Sequence, residues 1–287
     1  LDVNRRQMPV AQIKRAFSLI RLYGFKIHSH LMVNLLGATP EADKQDFKTF
    51  VTDPGFLPDE IKLYPCALVS GTQLVQKYRE GAWQPYAKDE LVDVLVQDVL
   101  NTPPYVRISR MIRDISATDI LVGNKHTNLR QMVEHELAAK DVARRVQEIR
   151  FREINQQQVH AAELTLQDFT YTTAVSDEHF LQWVTADNKI AGFCRLSLPH
   201  WDKLTSGACD VSADELLVQP GQAMIRELHV YGQALSLGSE GMSAQHQGLG
   251  QKLLAKASSI AAEAGYTSLN VISSIGTRAY YRAQGFS

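Results

Sequence analysis

The sequence predicts an α/β protein with two successive folded parts. In the first half, helix-like and strand-like patterns alternate, which is typical of a parallel sheet covered by helices. In the second half, short strands follow one another before a final helix, strand and helix. The chain has 287 residues, of which 45% are hydrophobic, so it can bury one large core or two ordinary ones.

The elements of the first half are predicted from the spacing of their apolar residues. Ile13, Phe17 and Ile20 recur at helical intervals, and Gly24 ends that helix. The predicted elements are a helix over 10–23, a strand over 25–32, a helix through Phe47 and Phe50, a strand over 61–64, a helix over 91–100, a strand over 105–108, a helix over 129–137 and a strand over 142–153. This alternation favours part of a parallel α/β layer or barrel.

The polar run Gln156-Gln157-Gln158 marks a predicted domain boundary, after which the pattern changes to antiparallel β structure. Asn188 lies in the turn of a predicted hairpin. The predicted elements beyond the boundary are strands over 169–173, 180–186, 190–198, 224–231 and 268–272, and helices over 251–264 and 277–284.

Composition narrows the classes of function. A formal net charge of −1 gives no overall nucleic-acid signature, although residues 101–152 carry more Lys and Arg than Asp and Glu. That basic stretch is either a phosphate-facing surface or a solvated helical face. No run of about 18 apolar residues is present, so no membrane span is expected.

The three cysteines, Cys66, Cys194 and Cys209, lie far apart and form no CxxC pair. They favour a cytoplasmic protein in which the thiols are small buried side chains and not ligands. Because the chain begins at Leu1, we expect a fragment of a longer protein.

A glycine-containing turn, Gln245-x-x-Gly248-x-Gly250, lies between a predicted strand and a convincing amphipathic helix. Such a turn presents backbone N–H groups and the positive end of the helix dipole, which together hold a pyrophosphate. A side chain at Gly248 or Gly250 would keep the backbone away from phosphate. By itself the spacing is weak evidence, since a helix-starting glycine turn without a ligand is equally common.

The order of the elements around this turn resembles the GNAT acetyltransferases. A strand, the Q-x-x-G-x-G turn, a helix, a strand and a helix with Tyr280-Tyr281 before Gly285-Phe286 follow in sequence. In that family the second aromatic lies near the sulfur of coenzyme A and donates a proton to the leaving thiolate, a role suited to a phenol. Tyr281 takes that position here. The alternative is a tyrosine that only packs its helix on the sheet.

The strand before the turn carries further candidates. Alternation puts Glu227 and His229 on one face and Arg226 and Leu228 on the other. In GNAT folds this strand splays from its neighbour and leaves backbone groups to pair with the pantetheine arm. Glu227 is a candidate general base or water-holding residue, and a solvated strand face is the alternative.

Several segments together look like a more specific family, the catalytic subunit of Elongator and its single-protein bacterial and archaeal homologues. The segments that carry this resemblance are 225–232, 245–248 and 276–282 in the second half, and 24–32, 53–59, 62–65, 105–110, 113–115, 123 and 128–130 in the first half. The resemblance implies the C-terminal part of a radical-SAM barrel over 1–128, a linker over 129–158 and a GNAT domain over 159–287.

The same resemblance implies a function and its cofactors. The family installs a carboxymethyl-type group on carbon 5 of the wobble uridine of tRNA, with acetyl-CoA as donor and a radical made from S-adenosylmethionine at a [4Fe-4S] cluster. The GNAT domain would be a tRNA-stimulated acetyl-CoA hydrolase or transfer site. The expected catalytic residues are Tyr281, Glu227 and His229. The expected acetyl-CoA contacts are Glu227, Leu228, His229, Val230, Gln247, Gly248, Leu249, Gly250, Gln251, Tyr280 and Tyr281.

The sequence departs from the family in two places. The three-cysteine motif that ligates the cluster is absent and would lie upstream of Leu1, so we expect this chain alone not to hold the cluster. Where many relatives have a cysteine-rich stretch before Arg152, this chain has Val146, Glu148 and Phe151, so no metal is expected there.

The resemblance makes tRNA the expected partner, with the oligomeric state left open and a homodimer among the expectations. The candidate phosphate contacts are Lys62, Arg107, Arg110, Arg113, Lys125 and Arg130. Two other functions remain as alternatives: a protein lysine acetyltransferase of the GNAT class and a non-catalytic tRNA-binding fragment.

Overall fold

The computed structural model describes residues 2–112, 115–116, 118–155, 159–231 and 248–287. Contacts divide the chain into two units: unit 1 comprises Leu1–Gln12 with His28–Phe151, and unit 2 comprises Ile13–Ile27 with Arg152–Ser287. Unit 2 therefore includes a segment that precedes most of unit 1 in sequence. The mixed α/β class predicted from the sequence is confirmed.

Unit 1 is built on a parallel sheet of three strands in the order β1-β2-β4, with a separate antiparallel pair, β3 and β5. Its strands are β1 (His28–Val33), β2 (Glu60–Pro65), β3 (Leu68–Val69), β4 (Arg107–Arg110) and β5 (Ile120–Val122). Its helices are α2 (Pro40–Thr52), α3 (Leu74–Arg79), α4 (Lys88–Asn101), α5 (Leu129–Ala139) and α6 (Ile149–Arg152), which ends at the boundary with unit 2. Thr39 caps α2 by accepting a hydrogen bond from the N–H of Ala42.

Unit 2 is built on a five-stranded sheet in the order β10-β9-β8-β7-β6, in which only the β10–β9 pair is parallel. Its strands are β6 (Thr165–Thr172), β7 (Ser176–Val184), β8 (Ile190–Pro199), β9 (Gln222–Val230) and β10 (Ser268–Val271). Its helices are α7 (Trp201–Ser206), α8 (Leu249–Glu263) and α9 (Arg278–Ala283), joined by most of α1 (Val10–Leu22).

The core of unit 2 lies between the sheet and the helices α8 and α9. Leu253, Leu254 and Ala257 of α8 pack in one cluster with Leu196 and Ile225 of the sheet. These α8 residues are the apolar positions that recur at helical spacing in the sequence. The helix ends before Gly265, whose φ of +86° is a conformation that glycine adopts at least cost.

The predicted strand over 142–153 is wrong. The chain there forms a 3-10 turn at Ala143–Arg145 and then helix α6. Val146 and Glu148 are both buried, so their alternation does not separate an inner from an outer face. The Glu148 carboxylate accepts hydrogen bonds from the backbone N–H groups of Ile108 and Arg150, which fixes a bent backbone instead of a strand.

Candidate functional site

The N-terminus of α8 lies beside the end of β9 and beside α9. Gly248 precedes the helix in a left-handed conformation with φ of +69°. A Cβ atom at Gly250 would come within 2.6 Å of the Tyr280 hydroxyl oxygen and 3.6 Å of Cγ2 of Val230. Glycine thus permits this close approach of the Tyr280 hydroxyl, which a larger residue would displace. The residues Gln245, His246 and Gln247 of the motif lie outside the described residues.

Strand β9 has one edge that is only partly paired. It pairs with β8 over much of its length, but β10 pairs only with residues 222–225. Beyond Ile225, the register with β10 stops within the described part of the chain. The end of this pairing at Ile225 is what is expected of a strand that splays from its neighbour.

A β-bulge changes the faces of β9. Arg195 pairs with Glu227 and Leu196 pairs with Ile225, so Arg226 is the extra residue. Its guanidinium reaches Glu178 at 2.9 Å, whereas Ile225 and Leu228 both pack against the α8 cluster. The prediction that Arg226 shares a face with Leu228 is therefore wrong, because strict alternation fails at a bulge.

The two tyrosines of α9 lie on the side of the sheet that α8 covers. Tyr281 is buried in the cluster with Cys194, and its ring meets that of Tyr280 edge-on at 5.4 Å. Burial, with smaller contributions from Cys194 and Tyr280, raises the pKa of Tyr281 to about 12. Burial also raises the pKa of Tyr280. Both phenols are therefore protonated at neutral pH, as a proton donor must be.

The opposite side of β9 carries Glu227 and His229, as alternation predicts. The Glu227 carboxylate accepts a hydrogen bond from Nε of Arg195 at 2.8 Å and lies 3.4 Å from Nζ of Lys26. The His229 ring stacks on Phe193 with a centroid distance of 5.7 Å. These residues and the tyrosines thus approach the splayed edge of β9 from opposite faces of the sheet.

Sequence reasoning missed Arg195 and Lys26. Arg195 has 2% of its residue surface exposed and lies over the rings of Phe180 and Phe193. Its position opposite Glu227 depends on the strand register, which has no local sequence signal. Lys26 is far from Glu227 in sequence, and only the fold brings them together.

The described residues fit acetyl-CoA better than they fit an iron–sulfur cluster. The glycine-led first turn of α8 and the end of the β9–β10 pairing at Ile225 suit a ligand with a pyrophosphate and an extended arm. By contrast, Cys66 lies in unit 1, and Cys194 and Cys209 lie in unit 2. They make no ligand set for an iron–sulfur cluster, so no chemical step is assigned to such a cluster in this chain.

Three of the basic candidates in unit 1 share one sheet. Lys62 pairs in register with Arg110, and Arg107 pairs with Glu60. Each of the three cations is at least partly exposed. They therefore form a positive group at neighbouring strand positions.

The remaining basic candidates are differently placed. Lys125 lines an open cleft of about 340 Å³ with His126 and Lys88. Arg130 is engaged within unit 1, where it pairs with Glu148 at 3.2 Å and donates to the Ile108 carbonyl. Arg113 lies outside the described residues. Part of the Arg130 guanidinium is consequently engaged within unit 1.

Within the described part of the chain, no helix combines the length and apolar character needed to cross a bilayer.

Two family models match the chain in succession. The radical SAM C-terminal domain matches residues 58–139, and the acetyltransferase (GNAT) family matches residues 143–286. The family names imply S-adenosylmethionine and an iron–sulfur cluster for the first family and acetyl-CoA for the second.

Curated relatives match along almost the whole chain. It is 38% identical over 282 residues to the "tRNA uridine(34) acetyltransferase" of Dehalococcoides mccartyi (strain CBDB1). It is 32% identical over 294 residues to "Elongator complex protein 3" of Homo sapiens. The alignments cover 96% and 99% of this chain but 59% and 51% of those proteins. The chain therefore spans little more than half the length of these relatives.

A solved structure of Methanocaldococcus infernus Elp3 with an N-terminal deletion (1–46) superposes with a TM-score of 0.87 at 30% sequence identity. The match covers 100% of this chain and 67% of that one. The two family matches occur in the order that the sequence motifs predict. Fold and sequence together show that the chain belongs to the Elongator protein 3 (Elp3) family, with a radical-SAM C-terminal part followed by a GNAT acetyltransferase domain.

Proposed function

We propose that the chain is the acetyl-CoA-binding part of an enzyme that modifies carbon 5 of the wobble uridine in tRNA. The observation that carries the proposal is the end of the β9–β10 pairing at Ile225 beside the glycine-led N-terminus of α8. The names of its relatives support tRNA uridine 34 as the acceptor. In such an enzyme, S-adenosylmethionine and a [4Fe-4S] cluster would supply the radical.

In this proposal, acetyl-CoA lies along β9 with its pyrophosphate at the first turn of α8. Backbone N–H groups of 248–251 would hold the pyrophosphate, with Gln247 at the same turn. Backbone groups of 227–230 would pair with the pantetheine arm at the strand edge. Tyr280, beside Gly250, would close the site around the cofactor.

The chemistry proposed for unit 2 is tRNA-stimulated hydrolysis of the thioester. Water adds to the acetyl carbonyl, and the C–S bond then breaks to give acetate and coenzyme A. Tyr281 donates a proton to the leaving thiolate, which suits a phenol kept protonated by burial. His229 or Glu227, on the other face of β9, takes the proton from water.

For tRNA, we propose contacts from Lys62, Arg107, Arg110, Arg113, Lys125 and Arg130, of which Arg130 also pairs with Glu148. Lysine and arginine contacts of this kind position a nucleic acid without specifying its sequence. With tRNA as its substrate, the protein would act in the cytoplasm. A homodimer stays a prediction that light scattering would test.

The test is release of free coenzyme A from acetyl-CoA, measured with and without tRNA. Release that rises with tRNA supports the proposal. Release that depends on a lysine peptide would favour a protein acetyltransferase. Intact tRNA binding with no release would favour a binding fragment.

Tyr281→Phe tests the proton donor. We expect roughly a ten-fold or larger loss of turnover with unchanged tRNA affinity, because the variant keeps the ring and loses only the hydroxyl. Tyr266→Phe is the matched control. Tyr266 follows the C-terminal end of α8, the end opposite the glycine turn, and its hydroxyl donates a hydrogen bond to the Pro199 carbonyl. Equal turnover in Tyr281→Phe and wild type would refute the role, and a larger loss in Tyr280→Phe would transfer it to Tyr280.

A further inference from the structure

The bulge at Arg226 is contacted from outside the sheet as well as from within it. A bulge leaves an extra residue without a partner in the ladder and bends the strand. In β9 it lies where the pairing with β10 stops. Whatever holds the bulge therefore sets the direction of the edge on which the proposed cofactor site depends.

A short segment after α1, residues 24–26, lies against this bulge. Gly24 ends the helix with φ of +82°, and the N–H groups of Gly24 and Phe25 bond back to the carbonyls of Arg21 and Ile20. This is the pattern of a Schellman helix end, which fixes the direction of the outgoing chain. A Cβ atom at Gly24 would lie 2.9 Å from the side chain of Met224 in β9, so glycine also permits the approach.

The segment contacts both residues of the bulge. The Phe25 carbonyl accepts a hydrogen bond of 3.2 Å from Nη1 of Arg226. Lys26 pairs with the Glu227 carboxylate, which is held on its other side by Arg195. Both contacts lie within unit 2, although the segment precedes the strand by about 200 residues.

We propose that the 24–26 segment is a positioning element of the acetyl-CoA site, which holds the β9 bulge through the Phe25 carbonyl and the Lys26 ammonium. The inference rests on the proposed function and adds residues from outside the GNAT match, which begins at residue 143. Lys26 acts through Glu227 and is a positioning residue. Its role explains why the segment after α1 packs with unit 2.

Lys26 is the residue to change, because its loss leaves the fold intact. The Lys26 and Glu227 side chains are 39% and 20% exposed, so their pair contributes little to stability. The variants are Lys26→Met, which keeps the aliphatic stem, and Lys26→Arg, which keeps the charge. Lys256→Met is the matched control, an exposed lysine on the solvent face of α8 in the same unit.

The experiment is calorimetric titration of each variant of the full chain with acetyl-CoA, beside its thermal midpoint. We expect Lys26→Met to weaken acetyl-CoA binding about five-fold. Its midpoint should stay within about 3 °C of wild type. Lys26→Arg should bind within about two-fold of wild type, and Lys256→Met should match wild type.

Combining Lys26→Met with Glu227→Gln should weaken binding no further than Glu227→Gln alone, since the ion pair lost in Lys26→Met is already lost in that variant. Unchanged affinity in Lys26→Met, or no recovery in Lys26→Arg, overturns the inference while the proposed function stands. A wild-type chain that binds no acetyl-CoA overturns both.

Discussion

Glu178 in unit 2 and Asp98 in unit 1 are buried to the same extent, with 1% of each residue exposed, but their surroundings differ. The Glu178 carboxylate lies 2.9 Å from the Arg226 guanidinium and accepts hydrogen bonds from the hydroxyls of Ser176 and Ser197. Within the described part of the chain, neither carboxylate oxygen of Asp98 has a hydrogen-bond partner.

The difference shows two ways in which a fold accommodates a buried acid. Around Glu178 the cost of burying charge is offset by a cation and hydroxyl donors. Among the described residues Asp98 has no such hydrogen-bond partner, and burial, with a smaller contribution from the charge of Asp43, raises the pKa of Asp98 to about 8. Asp98 therefore keeps its proton at neutral pH, whereas Glu178 is part of an ion pair.

The largest expected effect comes from removing the charge of Glu178, which Arg226 compensates. Glu178→Gln deprives the buried Arg226 of its carboxylate partner and should destabilise unit 2 by about 3–5 kcal/mol. Chemical denaturation followed by tryptophan fluorescence measures the loss, since Trp183 and Trp201 report on this unit. Glu263→Gln, on the exposed end of α8, is the control and should change nothing measurable. A loss below about 1 kcal/mol would contradict the account of Glu178.

The next effect is a pH dependence at Asp98. In the unfolded chain this carboxyl titrates near 4, whereas the folded chain holds the proton until about pH 8. As pH rises between these values the unfolded state binds fewer protons than the folded one, so stability falls with pH. The Asp98→Asn variant has no carboxyl to titrate at this position, so it does not lose stability in this way. Its free energy of unfolding relative to that of wild type should therefore rise by about 3–4 kcal/mol between pH 5 and pH 8.

Asp93→Asn, in the same helix, is the control with the opposite sign. Its hydrogen bond with Lys44 lowers the pKa of Asp93, so its contribution is lost only as pH falls below the usual carboxyl range. The difference between this variant and wild type should stay flat from pH 5 to pH 8. A flat profile in Asp98→Asn would show that Asp98 is not the group that titrates.

Much of the fold follows from local sequence patterns. Helices α1, α4, α5 and α8 lie where apolar residues recur at helical spacing, and the hairpin between β7 and β8 turns at Asn188, whose φ is +65°. The strand predicted over 25–32 begins three residues later, at His28, because the Schellman end of α1 occupies its first residues. Local rules suffice where the determining contacts are local.

The errors and omissions share a physical cause, since they depend on partners distant in sequence. The Arg226 bulge is visible only once β8 is paired with β9, and the bent backbone at Glu148 depends on the N–H of Ile108. The same holds for Lys26, whose partner Glu227 lies on a strand of the other half of the chain. The motif predicted the glycine turn and the two tyrosines of the site. It did not predict Lys26 and Arg195, the charged residues that contact Glu227 of β9.

The smallest expected effect is at the exposed edge of the α2–α4 pair. Lys44 of α2 lies 2.7 Å from Asp93 of α4, with 29% and 41% of the side chains exposed. Water screens such a pair, so Lys44→Met should cost about 0.2–1 kcal/mol at low salt and less at high salt. Lys48→Met, an exposed lysine of the same helix, is the control. A loss above about 2 kcal/mol that persists in high salt would mean that this exposed pair stabilises the fold as much as a buried pair does. The contrast between the buried ion pair at Glu178 and this exposed ion pair would then fail.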